Sequence, residues 1–218
     1  MALIVNNFRL EFPGNLLFED LCLELPKQVI CGIEACVLGG TTSLLKGLAG
    51  LIDEVTGEVS INGISTFGLS ERERSQHIAI SYEAGGLISF FNIYQNIILP
   101  LEYHNRLDKD ISARVHALCE MFALDTQLLS SFPYDLNDVQ IRVVNLIRAL
   151  IVRPSLCLID EFDGGMHEEM IEIAFLGLKE FQKTHATTII IATSQDVLLG
   201  EMDCAYKIEA HKLVEFKF

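Results

Sequence analysis

The sequence is poor in basic residues, and it has no hydrophobic run long enough to cross a membrane. It contains 16 Lys and Arg against 30 Asp and Glu, which gives a formal net charge of −14. Such a surface repels nucleic acid and anionic lipid headgroups, so we expect no nucleic-acid partner and no polybasic membrane surface. The most apolar stretch, 85–101, is interrupted by polar residues and Pro100, whereas a spanning helix needs about 18 or more apolar residues.

Other absences narrow the location and the domain organisation. The N-terminus has neither the basic region nor the cleavage site of a signal peptide, which predicts a cytoplasmic protein. The six cysteines form no CxxC motif and no Cys/His pair at metal-binding spacing, so we expect buried, reduced thiols. No repeat, low-complexity tract or linker divides the 218 residues, and the apolar excess indicates a protein partner.

The hydrophobic pattern predicts strands that alternate with helices. Residues 2–12 and 16–25 alternate around Pro13-Gly14-Asn15, which is typical of an antiparallel hairpin. Further strands are predicted at 28–33, 57–63, 77–82, 155–160, 187–193, 205–209 and 212–216. Helices are predicted through Ala49, across 92–152, and at 168–184. This alternation indicates a parallel sheet covered by helices, with the central helical segment inserted as a lobe.

A segment between the third strand and the first helix has the outline of a phosphate-binding loop. In the pattern G-x-x-x-x-G-K-[ST], backbone amides face the phosphates, the Lys contacts their outer oxygens, and the hydroxyl holds Mg²⁺. Here the pattern reads Ala35-x-x-x-x-Gly40-Thr41-Thr42, so the Lys is replaced by Thr41. Lys46 lies more than one helical turn beyond Thr42 and cannot replace it. Taken alone, the segment also fits a glycine turn in which Thr41 or Thr42 caps the helix.

Two adjacent acids end the predicted strand in "SLCLIDEF". The carboxyl ends of parallel strands are where such sheets bind ligands. In a P-loop NTPase the Asp holds Mg²⁺ through water and the following Glu can polarise the attacking water. Asp160 and Glu161 occupy these places, although acidic strand ends are also common as solvated caps.

Together these segments resemble the ATP-binding subunit of an ABC transporter over nearly the whole chain. The segments "LFEDLCLELPKQVICGIEA", "LLKGLAGLIDEVTGEVSING" and "PYDLNDVQIRVVNLIRALIVRPSLCLIDEF" follow the order of that family. The resemblance implies an α/β P-loop NTPase fold of the ABC ATPase type, with a mixed sheet, an N-terminal antiparallel β-part and an inserted helical lobe. One domain, 1–218, would comprise a RecA-like core (1–83 and 150–218) and a lobe at about 84–149.

The resemblance implies a set of nucleotide-site residues, of which some are retained. Those compatible with the family are Phe12 as the adenine-stacking aromatic, Gly40, Thr42 and Asp160 for Mg²⁺, and Glu161 as the catalytic acid. Phe12 is equally compatible with a core position in a strand.

The other positions that the resemblance implies are altered. The changed positions are Thr41 for Lys, Glu83 for Gln, Asn137-Asp138-Val139 in the signature loop, His167 for Asp and Gln195 for the γ-phosphate-contacting His. Because the losses fall in both halves of the site, we expect weak or absent binding of ATP and Mg²⁺, and a vestigial role for Glu161.

The stretch "YEAGGLISFFNIYQNIILPLEYHNRL" is most similar to ATPase subunits of Mla-type phospholipid importers, whose partner is a small membrane permease. Phe90, Phe91 and Tyr94 are the candidate docking residues, although Phe90, Phe91 and Ile93 also fit the core of the lobe. The expected location is cytoplasmic and peripheral, on the inner face of the cell membrane. A second ABC-type subunit or another copy of the chain is the other expected partner.

Three hypotheses follow from these motifs. The chain is a catalytically inactive subunit of a membrane transport complex, an active or weakly active ATPase that uses Asp160 and Glu161, or a free-standing pseudo-ATPase that serves as an interaction module.

Overall fold

The computed structural model describes residues 2–36, 39–82 and 85–216. Its strands are β1 (Leu3–Phe12), β2 (Asn15–Leu25), β3 (Ile30–Glu34), β4 (Val55–Ile61), β5 (Ile64–Ser65), β6 (Ile78–Ser81), β7 (Leu156–Ile159), β8 (Thr188–Thr193), β9 (Cys204–Glu209) and β10 (Lys212–Glu215). Its helices are α1 (Thr41–Leu48), α2 (Glu71–Arg74), α3 (Ile93–Tyr103), α4 (Ile111–Met121), α5 (Asp138–Leu150), α6 (Glu168–His185) and α7 (Asp196–Gly200). Short 3-10 turns at Thr126–Ser130 and Pro133–Asp135 separate α4 from α5.

The N-terminal strands form an antiparallel sheet in the order β2-β1-β4-β5. The predicted hairpin is confirmed, since Leu3 pairs with Leu25 and Phe12 pairs with Asn15 next to the turn. Alternate side chains of β2, such as Leu21, Leu23 and Leu25, are buried, as expected for a sheet with one face on the core.

A second sheet of six strands, in the order β10-β9-β3-β8-β7-β6, forms the centre of the molecule. All neighbouring pairs are parallel except β9 and β10. Both faces of this sheet are buried, which explains the continuous apolar run of β8. Ile189 and Ile191 pack on the side of α3, α4, α5 and α6, whereas Ile190 and Ala192 pack on the side of α1 and the N-terminal sheet.

The structure differs from the prediction at several boundaries. The third strand starts at Ile30 rather than at residue 28 because Gln28 has a left-handed backbone, with φ of 58°. The strand predicted at 57–63 is Val55–Ile61. The sequence pattern missed β5, α2 and α7, which are too short to show a hydrophobic period. No helix within the three described ranges combines the length and the apolarity needed to cross a membrane.

The sheet brings two distant loops to one edge. Glu34 ends β3 and leads into α1, while Asp160 directly follows β7. The backbone amide of Asp160 donates to the carbonyl of Ser81 at 2.9 Å, which extends the pairing of β6 and β7 by one residue. The loop before α1 and the acidic pair therefore meet beside each other.

Candidate functional site

A cavity of about 640 Å³ lies at the carboxyl ends of β3 and β7. Six residues that the sequence singled out line this cavity: Phe12, Gly40, Thr41, Thr42, Asp160 and Glu161. Phe12 is half-buried at the end of β1 and also packs against the core beneath the N-terminal sheet. The arrangement places an aromatic ring, a glycine loop, hydroxyls and carboxyl groups around one space.

Helix α1 starts at a glycine rather than at a hydroxyl cap. Gly40 is the N-cap with φ of 83° and no side-chain cap hydrogen bond, so the interpretation of Thr41 or Thr42 as the cap is wrong. A residue with a side chain would be strained in this left-handed conformation. The first amides of α1 therefore keep the exposed donor arrangement that suits an anion.

Thr41 gives the cavity no positive charge. Its side chain is nearly buried, with 5% exposed, and its hydroxyl lies 3.5 Å from the backbone carbonyl of Glu34. Lys46 lies in the last turn of α1 and is absent from the cavity lining. The charge that a phosphate loop takes from its Lys is not replaced from within α1.

Thr42 and Asp160 are placed as a pair. The Thr42 hydroxyl donates to Oδ1 of Asp160 at 3.2 Å, and the Asp160 side chain is buried. A hydroxyl and a carboxylate are oxygen ligands of the kind that Mg²⁺ takes. These two groups would hold Mg²⁺, although no cluster of three or more His, Cys, Asp or Glu at metal-binding geometry occurs in the described part of the chain.

The lining of the cavity is acidic. It contains the carboxyl groups of Asp160, Glu161 and Asp163, and no Lys, Arg or His among the described residues. Asp163 was missed by the sequence reasoning, although "DEFD" shows a third acid three residues after Asp160. This donor set suits a cation and opposes a triphosphate. The residues present therefore fit Mg²⁺, and the described lining offers no Lys, Arg or His to a triphosphate.

Glu161 is held from the helical segment. It has a left-handed backbone, with φ of 45°, which is uncommon for a residue with a side chain. Its carbonyl accepts a hydrogen bond from Nη1 of Arg142, on α5, at 3.0 Å. Arg142 is a second residue that the sequence reasoning missed, because 19 residues separate the two partners.

The altered signature loop has a local structural role. Asn137 caps α5: its Oδ1 accepts from the amide of Gln140 at 2.9 Å, and Oε1 of Gln140 accepts from the amide of Asn137 at 3.0 Å. Asp138 is exposed in the first turn of α5, where a negative charge is favourable. These side chains stabilise the start of α5.

Gln195 and His167 lie apart from the cavity lining. Gln195 is the N-cap of α7 and lines a separate groove between α6 and α7. His167 caps α6, with Nδ1 accepting from the amide of Met170 at 3.3 Å. Glu83, which the resemblance places at the nucleotide site, lies outside the described residues.

The three candidate docking residues differ in exposure. Phe90 is 75% exposed, and its ring meets that of Phe91 edge to face at 5.0 Å. Phe91 and Tyr94 are half-buried, and Tyr94 packs against the helical core. Ile93 is fully buried. The alternative interpretation, in which these residues form the core of the lobe, is therefore correct for Ile93 and wrong for Phe90.

The cysteines only partly follow the expectation of burial. Cys31, Cys119 and Cys157 are buried and Cys204 is half-buried, whereas Cys22 and Cys36 are exposed. Burial raises the pKa of Cys119 to about 11 and that of Cys157 to about 12. Cys36 lines the acidic cavity, a placement that the sequence reasoning missed.

The sheet order, the loop into α1 and the acid pair after β7 define a P-loop NTPase fold of the ABC ATPase type. The chain belongs to the ABC transporter family, whose model matches residues 39–163. These residues comprise more than half of the chain and contain Gly40, Thr41 and Thr42 of the loop as well as the acid pair.

Curated relatives match most of the chain. A lipoprotein-releasing system ATP-binding protein, LolD, from Buchnera aphidicola is 27% identical over 205 residues, which are 92% of this chain and 90% of the relative. A methionine import ATP-binding protein, MetN, from Rhizobium johnstonii is 28% identical over 201 residues, which are 90% of this chain and 55% of the relative. The chain thus spans about half the length of that MetN relative.

Solved structures show the same fold. A dimeric structure of MJ0796, a bacterial ABC transporter cassette, has a TM-score of 0.89 and 19% identity, covering 99% of this chain and 98% of the other. The cbiO1 structure from Clostridium perfringens has a TM-score of 0.83 and 18% identity, covering 98% and 86%. The named relatives belong to lipoprotein release and methionine import, so the resemblance to Mla-type subunits stays a prediction.

Proposed function

We propose that this chain is an ABC-type subunit that does not hydrolyse ATP and serves as a structural or regulatory partner of a membrane permease. The main support is the lining of the cavity beside the loop before α1, which contains three carboxyl groups and no Lys, Arg or His among the described residues. A hydrogen bond to a charged group contributes about 1.5–3 kcal/mol, and charge stabilisation counts most in the transition state. Loss of the Lys should therefore weaken binding of ATP and prevent turnover.

The altered signature supports the same conclusion for a dimer. In head-to-tail dimers of the family, each nucleotide lies between the phosphate loop of one subunit and the signature of the other. Asn137 and Gln140 cap α5 here, and Asp138 adds a carboxyl group at the exposed helix start. In a pair with a second ABC-type subunit, this chain would supply its altered phosphate loop to one site and its altered signature to the other. Each of the two sites would thus contain one altered part.

One observation favours an active or weakly active ATPase as the second candidate. Thr42 and Asp160 keep the hydroxyl and carboxyl group that hold Mg²⁺, at 3.2 Å from each other, with Glu161 next in sequence. This alternative requires triphosphate binding without a Lys, which the acidic lining opposes. A free-standing interaction module without a permease is the third candidate.

The membrane partner is proposed on the family and on exposed apolar side chains. We propose that the helical segment at about 84–149 forms the lobe that contacts the permease, with Phe90 and Phe91 before α3 as contacts. A second groove, of about 860 Å³, lies at the other end of α3 and is lined by Tyr103 and Leu51, which are 78% and 54% exposed. The chain would then lie on the cytoplasmic face of the membrane.

We propose more specifically that the transport complex moves a lipid-related cargo. It rests on the resemblance of the segment at 82–107 to Mla-type subunits and on the name of the LolD relative, a lipoprotein-releasing system ATP-binding protein. The MetN relatives, named for methionine import, match over a similar share of the chain. Purification from the native membrane with identification of the copurifying permease would decide between them.

Calorimetric titration of the full chain with ATP, with and without Mg²⁺, tests the loss of nucleotide chemistry. We expect no saturable heat up to about millimolar ATP, which corresponds to a binding free energy weaker than about −4 kcal/mol. Micromolar binding that requires Mg²⁺ and is lost in Asp160→Ala would instead support the active ATPase.

A further inference from the structure

The guanidinium of Arg142 contacts the acidic loop after β7. It lies in the second turn of α5, and its Nη1 donates to the carbonyl of Glu161 at 3.0 Å. Glu161 itself lines the cavity together with Asp160, Asp163 and Gly164. A positive charge from the helical segment therefore reaches the edge of a lining whose described residues include no basic side chain.

Gly164 makes room for this guanidinium. A Cβ atom placed on Gly164 would lie 2.6 Å from Cζ and 2.6 Å from Nη2 of Arg142, much closer than such atoms approach in proteins. The backbone of Gly164 does not have the positive φ of its neighbour Gly165. The space beside Gly164 is thus filled by the flexible end of Arg142, and the backbone of Gly164 has no conformation that itself favours glycine.

The contact of Arg142 with the acidic loop also has an electrostatic effect on the carboxyl groups of the cavity. Three carboxyl groups that share one cavity repel each other, and a buried carboxylate such as Asp160 is stabilised by a cation or by hydrogen-bond donors nearby. Mg²⁺ and a phosphate-loop Lys would supply positive charge at such a site, but Thr41 supplies none. A guanidinium is always charged and presents several donors, so it suits this role.

We propose that Arg142 is a built-in counter-ion of the acidic cavity, which keeps the site stable without a metal ion or a nucleotide. This inference rests on the proposed loss of ATP hydrolysis and explains how the site persists afterwards. Because Arg142 belongs to α5 and Glu161 to the loop after β7, the same contact joins the helical segment to the central sheet. The two parts are then held together independently of any ligand.

Thermal unfolding of the full chain with Mg²⁺ alone as the probe tests this role. Arg142→Gln removes the charge, and Arg106→Gln is the matched control because Arg106 is exposed. Without Mg²⁺ we expect Arg142→Gln to lower Tm by about 3 °C or more. About 10 mM Mg²⁺ should restore at least half of that loss, since a cation that binds only the folded state stabilises it. The wild type and Arg106→Gln should gain less than half as much Tm from Mg²⁺ as Arg142→Gln does, relative to NaCl of equal ionic strength.

Gly164→Ala provides a second variant that keeps every charge. The methyl group displaces the flexible end of Arg142, so the same gain in Mg²⁺ response is expected at a smaller loss of Tm. A loss of Tm in Arg142→Gln that Mg²⁺ does not reverse would show that Arg142 only packs, and would overturn the proposal. ATP turnover measured separately on the wild type tests the proposed loss of hydrolysis. A failure of that proposal can therefore be distinguished from a failure of the counter-ion proposal for Arg142.

Discussion

The hydroxyl of Thr42 donates to Oδ1 of Asp160 at 3.2 Å, across 118 residues of sequence. The neighbouring Thr41 instead lies near the carbonyl of Glu34 and is nearly buried. The hydroxyl and the carboxyl group that Mg²⁺ would take are thus adjacent, whereas Thr41, at the position of the phosphate-loop Lys, carries no positive charge.

Restoring the Lys alone should not restore hydrolysis. Thr41→Lys places an ammonium in the loop, but Asp163 remains in the lining and Gln195 remains outside it. We expect phosphate release from Mg²⁺-ATP to stay at the level of the Glu161→Gln variant. A colorimetric phosphate assay on the full chain measures this.

Thr41→Val is the control for the shape of the loop, since it keeps the branched side chain and removes only the hydroxyl. Turnover in Thr41→Lys that disappears on addition of Glu161→Gln would show that the single Lys is the only defect, and would contradict the inactive interpretation.

The sequence alone predicted the elements that have a long hydrophobic pattern and the site residues that are neighbours in the chain. The apolar run of β8 and the helical period of α6 are both confirmed, because burial of a whole strand or a helix face leaves a clear pattern. The gathering of Gly40, Thr42, Asp160 and Glu161 at one cavity is also as expected.

Contacts between distant side chains could not be predicted in the same way. Nothing in the spacing of Arg142, Glu161 and Gly164 indicates that a guanidinium packs on a glycine. The family resemblance places Gln195 at the position of the γ-phosphate-contacting His, whereas in the structure Gln195 is the N-cap of α7 and lines another groove. Such placements depend on local caps and on packing, which a single sequence does not display.

Cys36 offers a direct test of nucleotide binding, because it is exposed and lines the acidic cavity. Labelling with a maleimide should modify Cys36 and Cys22, since thiol reactivity requires access. Cys119 and Cys157 should stay unmodified in the folded protein, because burial raises their pKa to about 11 and about 12. Mass spectrometry of the labelled peptides follows each site.

We expect millimolar Mg²⁺-ATP to change the rate at Cys36 by less than about two-fold, since the cavity opposes a triphosphate. Cys22, on β2 and absent from the cavity lining, is the control within the same sample. Slower labelling of Cys36 with no change at Cys22 would demonstrate that nucleotide occupies the cavity.

His185 should make the protein less stable in mild acid. Its ring stacks on Phe181 at 4.2 Å, and its pKa is lowered from 6.5 by burial and then by the charges of Arg153 and Arg114, against a hydrogen bond to the Phe181 carbonyl. The unfolded chain therefore binds the proton first. The stabilising contribution is present above pH 6.5 and is lost as the pH falls towards the folded pKa.

Denaturant unfolding of the wild type and His185→Gln at about pH 7.5 and about pH 5.5 measures this difference. The variant should lose less free energy of unfolding on acidification than the wild type. His116→Gln is the matched control, since exposed His116 also contacts a carbonyl four residues earlier. An equal acid loss in the wild type and in His185→Gln would refute the prediction.

The exposed aromatic side chain before α3 should matter for a membrane partner and not for folding. Phe90 is 75% exposed, so Phe90→Ala removes little buried area and should leave Tm within about 1 °C of the wild type. Aromatic anchors often contribute about 2 kcal/mol or more to an interface, so recovery of the permease from native membranes should fall strongly.

Ile93→Ala, at a fully buried position, should instead destabilise the fold by about 2–5 kcal/mol. Exposed Leu176, on α6, provides the control Leu176→Ala, which should retain the permease. Equal recovery with Phe90→Ala and Leu176→Ala would exclude Phe90 from the docking surface.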